Sequence, residues 1–153
     1  MSLPELERFI VEAKRATYVG GGLADAPSRT GAHDLVFRQG DWLYRDSYFG
    51  GSDFLGQEVV WFRQQPLWAM NYYGYILRTD LIDAVRAGAT IKAALSAMYA
   101  EGRFLGGFEW SGPHGRYVDL STGDVTHFKG RETIVVDAAE AYALDYFGGL
   151  IKP

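Results

Sequence analysis

Near the start of the chain, Leu3, Leu6, Phe9, Ile10 and Ala13 recur at three- and four-residue spacing, which lays them along one stripe of an α-helix. Ser2-Leu3-Pro4-Glu5 has the capping-box spacing with Pro early in the first turn, so the pattern predicts a helix from Leu3 to about Arg15. Gly20-Gly21-Gly22 ends the following Thr17-Tyr18-Val19 stretch. Leu23 to Ala32, with Pro27, Ser28 and Gly31, predicts a loop long enough to serve as a flap. From Asp34 the period changes to two, over Asp34 to Arg38, Asp41 to Phe49, Gly56 to Arg63 and Leu67 to Leu77. The short separators Gln39-Gly40, Gly50-Gly51 and Gln64-Gln65-Pro66 join only antiparallel neighbours, so these runs predict a meander. Thr79 to about Ala100 predicts a second helical region, kinked or split at Gly88. Strand patterns then resume over Arg103 to Trp110, Arg116 to Leu120, Val125 to Val136 and Glu140 to Gly148.

The chain also resembles itself. A shift of 74 positions aligns Phe54 to Gly74 with Phe128 to Gly148 without a gap, and six of 21 positions are identical. Composition alone gives roughly one or two. The conservative pairs add to this: Val60 meets Ile134, Trp68 meets Tyr142, Met70 meets Leu144, Asn71 meets Asp145 and Tyr73 meets Phe147. Tyr18-Val19-Gly20-Gly21 likewise resembles Phe104-Leu105-Gly106-Gly107, each after a helix. The expected fold is α+β, one domain over residues 1–153. It is an internal duplication of a helix-plus-four-strand antiparallel unit with pseudo-repeats at about 3–77 and 80–149, each helix covering one face of the sheet. Cystatin-like and hotdog-like arrangements share this order, an analogy of fold that carries no activity.

Alternation places Trp68, Met70 and Tyr72 on one face of their strand and Leu67, Ala69, Asn71, Tyr73 and Tyr75 on the other. Tyr142, Leu144 and Tyr146 share a face in the second copy, with Ala143, Asp145 and Phe147 opposite. The first set suits the helix side. The second is apolar enough to want a cover: a partner subunit, the Leu23 to Ala32 loop, or a ligand. Aromatics make up 15% of the chain, and Trp42, Tyr44, Trp61, Trp68, Tyr72, Tyr73 and Tyr75 are candidates for lining an aromatic pocket. Asn71 or Asp145 would orient the ligand there. Cross-strand packing accounts for the same aromatics.

Glu58 and Glu132 stand at matching positions after Phe-x-Gly-x, in line with apolar rows. Burial raises a carboxyl's pKa, so either could act as a general base, with Tyr72 or Tyr146 as acid in a cleft beneath the flap. Against this, a strand-start Glu commonly accepts structural hydrogen bonds, and repetition preserves what a fold needs. Arg29 and His33 are placed to meet an anionic ligand or simply to be solvated. Asp119, Thr122 and Asp124 around Gly123 read as turn hydrogen bonding.

Several chemistries are excluded. The chain has no cysteine, and His33, His114 and His127 lack metal-ligand spacing, so no metal or other cofactor is expected. The glycine clusters lack the Lys-Ser/Thr of a phosphate loop and the spacing of a dinucleotide fold, and no nucleophile elbow is present. A net charge of −4 with scattered Lys and Arg argues against direct nucleic-acid contact. With no signal-like start and no apolar run of membrane-spanning length, a cytoplasmic location is expected, without membrane contact.

Phe9-Ile10-Val11-Glu12-Ala13-Lys14 leading to Tyr18-Val19-Gly20-Gly21-Gly22, then Gly40-Asp41-Trp42-Leu43-Tyr44-Arg45-Asp46, then Pro66-Leu67-Trp68-Ala69-Met70-Asn71-Tyr72-Tyr73-Gly74, together resemble a prokaryotic domain-of-unknown-function family. Its members occur alone or downstream of an XRE-type helix-turn-helix module. The resemblance spans most of the chain, the Trp-Ala-Met-Asn-Tyr-Tyr-Gly run being its most specific part. It implies no activity and no site residues, and at most a sensor or oligomerisation role. The chain begins at its helix without such a module, so a transcriptional role is not expected of it. The leading expectation is a non-enzymatic ligand-binding or protein-interaction module, homodimeric, that uses the aromatic second face of its sheet for a partner or a small molecule. The alternatives are the Glu58 or Glu132 enzyme and a regulatory domain that meets a helix-turn-helix protein in trans.

Overall fold

The computed structural model describes residues 1–19 and 24–153. Helix α1 runs Leu3–Lys14, and Ser2 closes its N-terminus in a capping box with Glu5, as the spacing predicts. One turn of π-helix follows at Arg15–Val19. The glycine run Gly20 to Gly22, with Leu23, lies outside the described residues.

The strands are β1 Ala24–Asp25, β2 His33–Gln39, β3 Trp42–Gly50, β4 Phe54–Phe62 and β5 Gln65–Ile76. After helix α2, Ala84–Ala100, come β6 Phe108–Gly112, β7 Gly115–Asp124, β8 His127–Val136 and β9 Ala139–Leu150. Among the described residues these nine form one antiparallel sheet in the order β1-β2-β3-β4-β5-β9-β8-β7-β6. The protein is therefore mixed α and β, mostly sheet. Among the described residues no helix is long and apolar enough to cross a membrane.

Helix α2 starts later than the apolar pattern predicts. Asp83 caps it by accepting from the Arg86 backbone N–H, while Leu81 and Ile82 donate back to the Arg78 carbonyl in a separate turn. Gly88 does not split it, because neighbouring good helix formers carry the ladder through. The expected strand over Arg103 to Trp110 forms only from Phe108. Gly106 and Gly107 have φ of +99° and +82°, and the Arg103 guanidinium donates to the carbonyls of Leu105 and Gly107, closing a loop instead.

The pairings of the two meanders correspond position by position. Glu58 stands opposite Met70 and Glu132 opposite Leu144, and register shifts fall at Val60/Trp61 and at Ile134/Val135. Two-residue turns follow at Arg63-Gln64 and Asp137-Ala138, all four residues at positive φ, as type I′ hairpins require. The meanders meet where β5 pairs with β9, Tyr72 opposite Tyr146. Leu6, Phe9 and Ile10 of α1, with Ile91, Leu95 and Met98 of α2, share one core with Tyr44, Val60, Trp68, Tyr117, Ile134 and Tyr142 of the strands.

Candidate functional site

Strand alternation turns Tyr44, Asp46, Glu58, Met70 and Tyr72 into this core. Asp46 and Glu58 are cross-strand neighbours. Glu58 is 2% exposed and receives the Lys14 ammonium at 2.9 and 2.6 Å, together with the Tyr44 hydroxyl. Lys14 comes from the last turn of α1 and is itself buried. It lies four residues after Ile10, which is four after Leu6, and so falls on the apolar stripe. That spacing was the signal from which its burial was readable.

The second meander repeats the carboxyls without the lysine. Asp119 stands opposite Glu132 across β7 and β8. Tyr146 donates to Asp119 at 2.7 Å as Tyr72 does to Asp46 at 2.6 Å. Tyr117 lies beside Glu132, but its hydroxyl completes no hydrogen bond among the described residues. Burial, then the charge of Asp119, pushes Glu132 up to about 8, so it holds a proton at neutral pH. Burial raises Asp119 to about 6 against the opposing Tyr146 bond. Burial and the Glu58 charge raise Asp46 to about 7 against the Tyr72 bond and Lys14. A cavity of about 50 Å³ lies between the two groups, bordered by Lys14, Glu58, Tyr99, Asp119 and Glu132.

A larger cavity, about 370 Å³, opens beside it and shares Tyr18 and Tyr72 as walls. Its apolar lining comes from Tyr48, Phe54 and Ile76 on the strands and from Ala87, Gly88 and Ile91 on α2. Its buried polar groups are Asp46, the Tyr72 hydroxyl that donates to it, the Thr17 hydroxyl that donates to the Ala13 carbonyl, and the Tyr142 hydroxyl. Asp46 is 1% exposed, and the Tyr142 hydroxyl has no hydrogen-bond partner among the described residues. Gly74 makes room here: a Cβ would approach the Phe54 ring and stand 2.8 Å from that hydroxyl. The chemical content is a mostly apolar, aromatic-walled recess with a carboxyl group and an unpaired phenol, the composition of a small-molecule site.

The other sequence candidates do not converge on one aromatic pocket. Trp68 is buried, stacked on Phe128, and donates to the Val125 carbonyl. Trp42 stacks on Phe9 near α1. Asn71, Tyr73, Tyr75 and Asp145 point to the opposite face: Asn71 accepts from Gln57, Tyr73 stacks on Tyr75, and Asp145 pairs with Arg131. Period two separates these sets however close they lie in sequence. Asp119 is not a turn residue; β7 carries it into the core, leaving only Asp124 to bond locally, to Thr126. Leu23 of the expected flap lies outside the described residues, and the described part, Ala24 to Ala32, does not border the cavity of about 370 Å³. Ala24–Asp25 pairs with β2, Arg29 donates to Ser47 and lies over Phe49, and His33 packs near Tyr48. Asp46, Asp119 and Tyr142 were missed as site residues. Strict alternation from Tyr44 and from Tyr117, and the match of Tyr142 to Trp68, held the signal for them.

The family model described as Domain of unknown function (DUF5680) matches residues 46–151, which includes Asp46, Glu58, Tyr72, Asp119, Glu132 and Tyr146. No curated protein and no solved structure matches the chain.

Proposed function

The chain belongs to the DUF5680 family, a domain of unknown function, and from that premise we propose that it is a small-molecule-binding module whose ligand occupies the cavity of about 370 Å³. The proposal includes descent from a duplicated unit, with both helices laid on the inner sheet face. The matched registers and turns of the two meanders support this.

One contrast carries the binding reading. In the position equivalent to Tyr142, 74 residues earlier, the chain has Trp68, whose indole fills the other half together with Phe104 and Phe128. Between paired Gly50 and Phe54 lie three residues, Gly51 to Asp53; between paired Gly123 and Phe128 lie four, Asp124 to His127, including Val125 at 2% exposure. One half is thus plugged and the other is open, with a phenol left unpaired in its wall. Packing alone favours filling both, since an apolar void forfeits dispersion and an orphaned hydroxyl costs about 1–3 kcal/mol.

Gly88 tests the reading. A Cβ there meets nothing within 4 Å, and the residue borders the cavity, so Gly88→Phe is expected to fill the mouth while α2 stays intact. In a small-molecule screen by thermal shift, ligands of the native chain should raise its Tm and leave the variant unmoved. Equal shifts in both proteins, or no shift across a broad screen, would refute the site.

A second reading is favoured by Asp46 alone. A carboxyl raised to about 7 in an open recess suits proton transfer. Glu58 suits it less, its oxygens being taken by Lys14 and Tyr44. Under this reading Asp46→Asn abolishes turnover of a bound ligand and preserves its binding; turnover that survives the substitution excludes it.

A further inference from the structure

The charge of the recess limits what it accepts. Among its described lining residues there is one carboxyl, Asp46, and no Lys, Arg or His. The neighbouring cations are committed elsewhere: Lys14 to Glu58, and Arg45 to Asp34 and Asp25. The N-terminus of α2 borders the recess through Ala84, but it carries the carboxylate of its own cap there: the Asp83 side chain accepts from the Arg86 N–H, the Asp83 carbonyl accepts from Ala87, and the negative charge opposes an anion. Among the described residues nothing cationic is left to hold an anion.

Asp46 itself has room for one more donor. Its Oδ1 accepts from Tyr72, while Oδ2 has no hydrogen-bond partner among the described residues. A neutral apolar ligand would strip water from that oxygen and give nothing back. An ammonium group supplies both the proton donor and the charge, and Tyr18, Tyr48, Phe54 and Tyr72 line the recess with aromatic rings, whose π-systems attract a cation. The Tyr142 hydroxyl, a donor or acceptor without a partner, offers a further polar contact at the same wall. At about 370 Å³ the recess lies near the small end of ligand sites, so the body attached to the amine is compact.

Resting on the binding role proposed above, we infer that the ligand is a compact amine with an apolar or aromatic body, held as its ammonium by Asp46. The acidic and phenolic groups that face Asp46 are Glu58 of β4, Tyr72 of β5, Tyr44 and Tyr48 of β3, Tyr18 of the π turn and Asp34 of β2; the facing cation is Lys14 of α1. None of them neutralises Asp46 once Lys14 is paired with Glu58. A bound ammonium does, so amine and proton compete for one carboxylate.

Three probes of like shape decide the matter by calorimetry on the full chain at pH 8: 2-phenylethylamine, 2-phenylethanol and phenylacetate. The amine should bind about tenfold or more tighter than the alcohol, the sum of an ion pair and ring–cation attraction, and phenylacetate should not bind. Asp46→Asn keeps an acceptor for Tyr72 and should remove the ion-pair part of the amine's advantage, leaving only what the rings contribute; an advantage that is unchanged in this variant overturns the role of Asp46. Amine affinity should also fall as pH drops through about 7, where Asp46 takes up its proton. If the alcohol or phenylacetate binds as well as the amine and Gly88→Phe abolishes that binding, the amine assignment is overturned and the cavity stands. If binding survives Gly88→Phe, the cavity reading fails, and the amine assignment with it. No binding by any probe at millimolar concentration overturns the amine assignment.

Discussion

Tyr72 and Tyr146 face each other across the seam between β5 and β9, and the hydroxyl of each donates a hydrogen bond to an aspartate of its own meander, Asp46 at 2.6 Å and Asp119 at 2.7 Å. Each ring lies over a glycine, Gly56 or Gly130, where a Cβ would overlap the phenol. The glycine makes room for the ring, and the ring brings the hydroxyl to a carboxyl that burial would otherwise leave unpaired.

Tyr146→Phe should therefore cost about 1–3 kcal/mol, the penalty for a buried acceptor that loses its donor. It should also move Asp119 above its present value of about 6, because the lost bond is what opposes burial there. Urea unfolding at pH 7 gives the first, and a carboxyl-carbon NMR titration gives the second. An Asp119 pKa that stays put or falls would show that the Tyr146 bond does not govern it.

Much of this arrangement was legible in the sequence. Phe54 to Gly74 and Phe128 to Gly148 pair in registers that keep the offset of 74, down to the bulges at Val60 and Ile134. Period-two alternation sorted Trp68, Met70 and Tyr72 from Asn71 and Tyr73 correctly. The carboxyl cluster was not legible, because sequence distance hides who meets whom: Lys14 reaches Glu58 across 44 positions, and Tyr72 reaches Asp46 across 26. The cavity was hidden for a different reason. It arises from what is missing, a smaller side chain at Tyr142 and a shorter connection after Gly50, and a missing volume leaves no motif.

Lys14 holds the only ammonium in contact with this cluster among the described residues, and Glu58 is sealed behind it. Lys14→Met should destabilise the fold by about 3–5 kcal/mol, since it strands a buried carboxylate beside Asp46. The double change Lys14→Met with Glu58→Gln should recover most of that loss, because a neutral amide needs no cation and still accepts from Tyr44. Denaturation of the single and double variants closes the cycle. A double variant no more stable than Lys14→Met would mean that the lysine matters through its stem rather than its charge.

The turn at Asp137-Ala138 invites a different change. Ala138 sits at φ +63° in a two-residue hairpin loop, a conformation that disfavours any side chain with a Cβ. Ala138→Gly should stabilise the protein by about 0.5–1 kcal/mol, the relief of left-handed strain exceeding the extra freedom of the unfolded chain. The same substitution in a regular strand would do the opposite, so a rise in the urea midpoint is diagnostic of the turn.

Glu132 fixes how stability responds to pH. Its ordinary value is 4.5 and its folded value about 8, so between those limits the unfolded chain releases a proton that the folded chain keeps. Stability from this group is full below about 4.5 and declines as pH rises towards 8, the reverse of a salt-bridged carboxylate. Asp46 and Asp119, raised to about 7 and about 6, add declines that end earlier. Glu132→Gln copies the protonated form. It should match the parent near pH 4 and exceed it increasingly up to pH 8, by an amount on the order of a few kcal/mol. Thermal unfolding of both proteins at intervals from pH 4 to 9 measures the gap. A gap that is constant with pH would mean that Glu132 titrates alike in the folded and unfolded chains, which its burial beside Asp119 without a cation of its own does not allow.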